Sequence, residues 1–200
     1  LIYSPWGQRS GAHMNPSVTL AFLRLGKIQR WDAVFYICAQ FAGGTLGVVL
    51  ASLLLGNAFS DPPVSYAATQ PGSQGIAAAF LAEFAISAAM MATVLTVAGH
   101  ARYARFTGWI AGLLVATYIS LEAPISGMSM NPARSFASAA PAMHWQHLWI
   151  YFTAPVLGML AAAQWKQRRS SASALPCAKL IHADTVRCIH CGFEPPAKSQ

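Results

Sequence analysis

Gly11-Ala12-His13-Met14-Asn15-Pro16-Ser17-Val18-Thr19-Leu20 and Gly127-Met128-Ser129-Met130-Asn131-Pro132-Ala133-Arg134-Ser135-Phe136 are two copies of one pattern, Gly-x-x-Met-Asn-Pro-small. Their asparagines lie 116 positions apart. An internal repeat is weighed first because it reports on the whole architecture. Asparagine is a strong N-cap. Proline suits the first helical turn and is poor inside a helix. Each copy therefore predicts a helix start, with Asn15 heading Val18 to Leu25 and Asn131 heading Ser135 to Ala140. Neither segment is long enough to cross a bilayer core of about 30 Å. An ordinary helix cap explains either copy alone, but not two matched copies in this setting.

The setting is apolar. The chain has 200 residues, of which 55% are hydrophobic and only 10% charged. Its mean hydropathy is +0.42. Soluble domains carry about 25% charged residues, so an ordinary soluble enzyme is disfavoured. The net charge of +7 does not indicate nucleic acid, because the cations punctuate apolar runs and form no polar, exposed patch. Between Asp32 and Asp61 lie 28 uncharged residues, centred on Phe35 to Leu55. Gly75 to Val97 is a second span, holding only Glu83. Phe106 to Leu121 is a short third, and Trp145 to Trp165 a fourth. About 20 apolar residues make one membrane helix, so the chain is read as an all-α membrane protein.

Cations set the direction. Arg24, Lys27 and Arg30 precede the first span, His100, Arg102 and Arg105 separate the second and third, and Lys166, Arg168 and Arg169 follow the fourth. The connection Asn57 to Gln74 has no Lys or Arg, and Glu122 to His144 has only Arg134. The positive-inside rule places the three basic groups and the C-terminus in the cytoplasm. The two Asn-Pro helices then enter from opposite faces. Opposed half-helices in a bundle are the inverted-repeat pattern of transport proteins. Each N-terminus carries roughly half a positive charge, and the Asn15 and Asn131 amides can donate to a guest. Water would be held by its oxygen, while cations and protons would meet a barrier.

The paired motifs resemble those of the aquaporin (major intrinsic protein) family, and the likeness runs from about Ser10 to Trp165. It implies an inverted-repeat bundle with two re-entrant half-helices, and a pore motif of Asn15, Pro16, Ser17, Asn131, Pro132 and Ala133. Ser17 departs from the family's usual alanine but stays small. The family has six spans, so the two expected before Ser10 are absent here. The chain, which starts at Leu1, is read as truncated at its N-terminus. By the same resemblance Arg134 is the filter cation, with Ile119 and Met128 as further filter walls. The bland alternative for Arg134 is a snorkelling interfacial arginine; for Ile119 and Met128 it is plain packing. Strict water channels often carry histidine where Ile119 stands, so the filter is less polar and a small neutral solute can pass. Ser135 in place of a glycerol-type aspartate, Ala139 and Tyr151-Phe152 favour water over glycerol.

Glu83 is the only carboxylate deep in a span and must face protein. The resemblance makes it the brace of the second loop; proton coupling would need partner groups in the spans. His13 is placed at the cytoplasmic pore mouth, with simple capping or packing as the plainer role. Residues 1–165 are read as the channel domain and 166–200 as a polar cytoplasmic tail with six cations. In that tail, Cys177, His182, Cys188 and Cys191 have the ligand chemistry for one Zn²⁺. One Cys-x2-Cys pair is a sparse signal, so reduced thiols are preferred, and no metal or cofactor is expected.

The expected function is a passive channel for water and small neutral solutes in the plasma or inner membrane, with the lipid bilayer as surroundings and a homotetramer implied by the family. No nucleic-acid partner and no enzymatic activity are expected, since no nucleophile, base and orienting group recur together. The alternatives are a glycerol-type facilitator and a truncated, non-conducting membrane protein. A coupled transporter would require ion-binding carboxylates in the spans, where only Glu83 qualifies.

Overall fold

A computed structural model describes residues 2–100, 102–169, 177–180 and 187–194. Among these residues all regular structure is helical. In chain order the main elements are α1 (Pro5–Ser10), α2 (Pro16–Arg24), α3 (Arg30–Leu55), α4 (Gly75–Ala98), α5 (Thr107–Leu121), α6 (Pro132–Ala142) and α7 (Leu148–Arg169). Four helices are long and apolar enough to span a membrane: α3, α4, α5 with its preceding turn from Ala104, and α7. At about 1.5 Å per residue, the 26 residues of α3 and 24 of α4 exceed the bilayer core. The 9 residues of α2 and 11 of α6 do not.

The ends follow local chemistry. Asp32 lies in the first turn of α3, where a carboxylate meets the positive end of the helix dipole. The fourth span starts at Leu148, three positions later than the sequence pattern implied, because His147 has a left-handed backbone (φ 63°) that stops a helix from beginning earlier. It continues past Trp165 to Arg169, with Lys166, Arg168 and Arg169 complementing its negative end. The second half-helix begins at Pro132 itself, as proline at the first position allows.

Packing is crossed. Half-helix α2 lies against α7, and half-helix α6 lies against α3. The pair α4 and α7 forms the most extensive helix contact. It depends on Gly158, where an added Cβ would collide with the Phe84 carbonyl. The main core joins Ala21 and Phe22 of α2 to Met90, Met91 and Leu95 of α4 and Met159 of α7, with Met128 and Met130 from the second loop. A smaller cluster unites Ala79, Ile150, Tyr151 and Ala154. By contrast α5 buries only Thr107, and Trp109, Leu113 and Leu121 stand exposed along it. Such a surface is stable only against lipid or further protein.

Candidate functional site

The two Asn-Pro segments meet. Asn15 has extended backbone (φ −146°) and its Oδ1 accepts from the Ser17 N–H at 2.8 Å. Asn131 is extended likewise (φ −144°), and its Oδ1 accepts from the Ala133 and Arg134 N–H groups at 3.1 and 3.3 Å. The oxygen of each carboxamide is thus committed to its own helix. The nitrogens cross over. Asn15 Nδ2 donates to the Met130 carbonyl at 2.7 Å, and Asn131 Nδ2 donates to the Met14 carbonyl at 2.9 Å. Each side chain caps one half-helix and ties it to the loop of the other. An amide nitrogen has two protons, so each has a second one outside these bonds.

The loops before the caps share an unusual backbone. Gly11 and Gly127 have φ of 82° and 80°, and the following Ala12 and Met128 have 57° and 48°. Positive φ in a residue with a side chain costs energy and persists where surroundings over-determine it. The second loop is held by Glu83, which is fully buried. Its Oε1 accepts from the Ser129 N–H at 2.6 Å and the Ser126 hydroxyl at 2.8 Å; its Oε2 accepts from the Met130 N–H at 2.8 Å. Ser129 and Ser135 hydroxyls lie 2.5 Å apart, and Thr69 Oγ1 reaches Ser135 Oγ at 2.7 Å. Tyr151 donates its hydroxyl to the Ser126 carbonyl at 2.5 Å.

The first loop uses neutral groups. Gln40 Nε2 donates to the His13 carbonyl at 2.8 Å and to Thr19 Oγ1 at 3.0 Å. His13 Nε2 lies 2.8 Å from the Ala178 carbonyl and must donate to it. That leaves Nδ1 as the acceptor, facing the Thr19 hydroxyl at 3.3 Å.

A cavity of about 500 Å³ lies between α3 and the two motifs, with His13, Tyr36, Gln40, Asn131 and Arg134 in its wall. Arg134 places a guanidinium nitrogen, Nη1, where it is buried without a bonding partner among the described residues. A buried donor of this kind is costly unless something occupies the space beside it. Not every candidate converges here. Asn15, Met128 and Ile119 do not line this cavity. Met128 is packed in the core, and Ile119 is 54% exposed on α5. Only Arg134 of the three expected filter residues therefore reaches it. The reason is that α5 makes its main long-helix contact with α4 and leaves most of its length exposed.

Sequence reasoning missed three buried polar residues. Glu122, at the end of α5, is buried, as are Thr69 and Lys179. Glu122 and Lys179 looked like interfacial and tail charges because nothing local marks them as covered. In the tail, Cys177, Cys188 and Cys191 come together, while His182 lies outside the described residues. Burial pushes the Cys177 thiol up to about 12. Burial also works upward on Cys188, but donation from the Cys191 and His190 backbone N–H groups and from neighbouring thiols outweighs it and holds that thiol below its ordinary value.

Residues 2–165 match the family model described as "Major intrinsic protein". The probable aquaporin NIP7-1 of Arabidopsis thaliana is 36% identical over 155 residues, covering 77% of this chain and 54% of that protein. The putative aquaporin NIP4-1 of the same plant is 37% identical over 162 residues, covering 80% and 55%. The chain thus spans about half the length of these curated relatives. The aquaglyceroporin of Plasmodium falciparum, known from an X-ray structure, superposes with a TM-score of 0.69 at 19% identity, over 80% of this chain and 73% of that one. That likeness is one of fold.

Proposed function

The chain belongs to the major intrinsic protein family, a family of membrane channels rather than enzymes, and from that premise we propose that it passes water and small neutral solutes while excluding ions and protons. One observation carries this reading: the two half-helices are locked N-terminus to N-terminus by the reciprocal bonds from Asn15 to Met130 and from Asn131 to Met14. Two positive helix ends then face one locus. A neutral guest with a lone pair is accepted there by the remaining amide protons, and a cation is repelled. Arg134 adds a full positive charge to the wall of the adjoining cavity. We assign the pore motif to Asn15, Pro16, Ser17, Asn131, Pro132 and Ala133, the brace to Glu83, the cytoplasmic mouth to His13 and the filter cation to Arg134.

Water is the leading solute, supported by Ser135, Ala139 and Tyr151-Phe152. A second reading is a glycerol-sized solute, for which the mainly apolar wall beside Arg134, with Ala39, Val48 and Ala137, leaves room. The basic groups flanking the spans support a cytoplasmic C-terminus. The exposed apolar faces of α3 and α5 support assembly with further protein, in the family's manner a homotetramer. Stopped-flow light scattering of proteoliposomes shocked with glycerol tests the function. Fast shrinkage with weak temperature dependence is expected, and re-swelling reports glycerol passage. Arg134→Val is expected to keep water flow and to admit cations in a flux assay; shrinkage no faster than empty vesicles would sink the channel reading.

A further inference from the structure

Three sulfurs in the tail, those of Cys177, Cys188 and Cys191, lie within 4.8 Å of one another, with Cys177 and Cys188 at 3.3 Å. No disulfide joins them. The spacing is that of ligands around one centre, since a tetrahedral ion with bonds of about 2.3 Å to sulfur sets its ligands roughly 3.8 Å apart. The backbone is arranged for the purpose as well. The segment Cys188-Ile189-His190-Cys191-Gly192-Phe193 folds into a tight turn closed by bonds from Gly192 N–H to the Cys188 carbonyl at 3.1 Å and from Cys188 N–H to the Phe193 carbonyl at 2.8 Å. Gly192 takes a left-handed backbone (φ 72°), which a residue with a side chain rarely adopts. An ion pair from Arg187 Nε to Glu194 Oε1 at 3.5 Å brackets the turn.

Both cysteine segments also rest on the first pore loop. Ala178, next to Cys177, accepts from His13 Nε2 at 2.8 Å, and Leu180 N–H reaches the Gly11 carbonyl at 3.4 Å. His190, between Cys188 and Cys191, stacks on His13 with ring centres 6.4 Å apart. Its Nε2 also lies 3.5 Å from the Tyr36 hydroxyl. We propose that Cys177, Cys188 and Cys191 bind one soft divalent cation of the zinc class, and that this ion fastens the tail onto His13. Three thiolates leave one coordination position for a further ligand.

The test uses the full chain in detergent. After exposure to Zn²⁺ and desalting, a chromogenic chelator should release about one zinc per protomer. The Co²⁺-loaded chain should show thiolate-to-metal charge-transfer absorption. Cys188→Ser and Cys191→Ser should each abolish retention, whereas Cys38→Ser, on α3 and away from the cluster, should leave it intact. If the ion fastens the tail, trypsin should cut after Lys179 more slowly in the zinc-loaded chain than after a chelator has removed the metal. Absence of retained zinc from the wild-type chain, retention surviving the loss of all three tail cysteines, or a Cys177–Cys188 disulfide found by mass spectrometry under reducing isolation would overturn the site. Zinc retention with unchanged cleavage after Lys179 would overturn the fastening.

Discussion

The two re-entrant segments are built on one plan and held in two ways. Both start with Gly in the left-handed region, follow it with a strained residue, and cap a helix with Asn before Pro. Both close a local bond six positions apart, Thr19 to His13 in the first and Ser135 to Ser129 in the second. The difference lies in what supports the loop. The second rests on the buried Glu83 carboxylate, which receives two backbone N–H groups and a hydroxyl. The first rests on the neutral Gln40 amide and on a tail carbonyl. The position after Ser17 or Ala133 also differs, Val18 in one copy and Arg134 in the other. A strong internal brace accompanies the copy that carries the cation, because a buried carboxylate offsets the positive helix end and guanidinium nearby.

Breaking the stronger brace should have the largest effect. Glu83→Ala leaves two buried N–H groups without acceptors and should destabilise the chain by about 3 kcal/mol. The check is a lowered midpoint of thermal unfolding in detergent, with lost water flux in vesicles. Asn131→Asp comes next. It keeps the cap oxygen but removes the Nδ2 donor to Met14, and it places a negative charge between the helix ends; cation exclusion should weaken while α6 survives, as read by ion flux and circular dichroism. Asn15→Asp should do the same, so unequal effects would show that the two halves are not equivalent. Gln40→Leu removes the weaker brace and should cost about 1 kcal/mol. If it matched Glu83→Ala in the same melt, the contrast between the loops would be wrong. The smallest change is Ser17→Ala. The Ser17 hydroxyl is buried and makes no bond within the described residues, so alanine should be neutral or stabilising by about 0.5 kcal/mol, detectable as an unchanged or slightly raised unfolding midpoint.

Much of this contrast was legible beforehand. The Asn-Pro repeat marked both half-helix starts, and the charge-free runs marked the four spans to within a few residues. Those signals are local: a cap needs its own helix, and a span needs its own length of apolar chain. The burial of Glu122 was not legible, because a glutamate at a helix end reads as interfacial until a neighbour covers it. The separation of Ile119 from the Arg134 cavity was also hidden, since it depends on how α5 packs against α4. Lys179 read as a solvated tail charge, and only the docking of residues 177–180 on Gly11 and His13 covers it.

From sequence alone came the helical class, the spans, the caps and the pairing of the motifs, because hydropathy, backbone preference and repetition act within a few turns of chain. Tertiary structure alone decided that Asn15 bonds Met130 and Asn131 bonds Met14, and that three tail sulfurs meet behind His13. These contacts join residues that are far apart along the chain. They form only where crossed packing of α2 on α7 and α6 on α3 brings distant backbone within a hydrogen bond's length, a distance that no local pattern encodes.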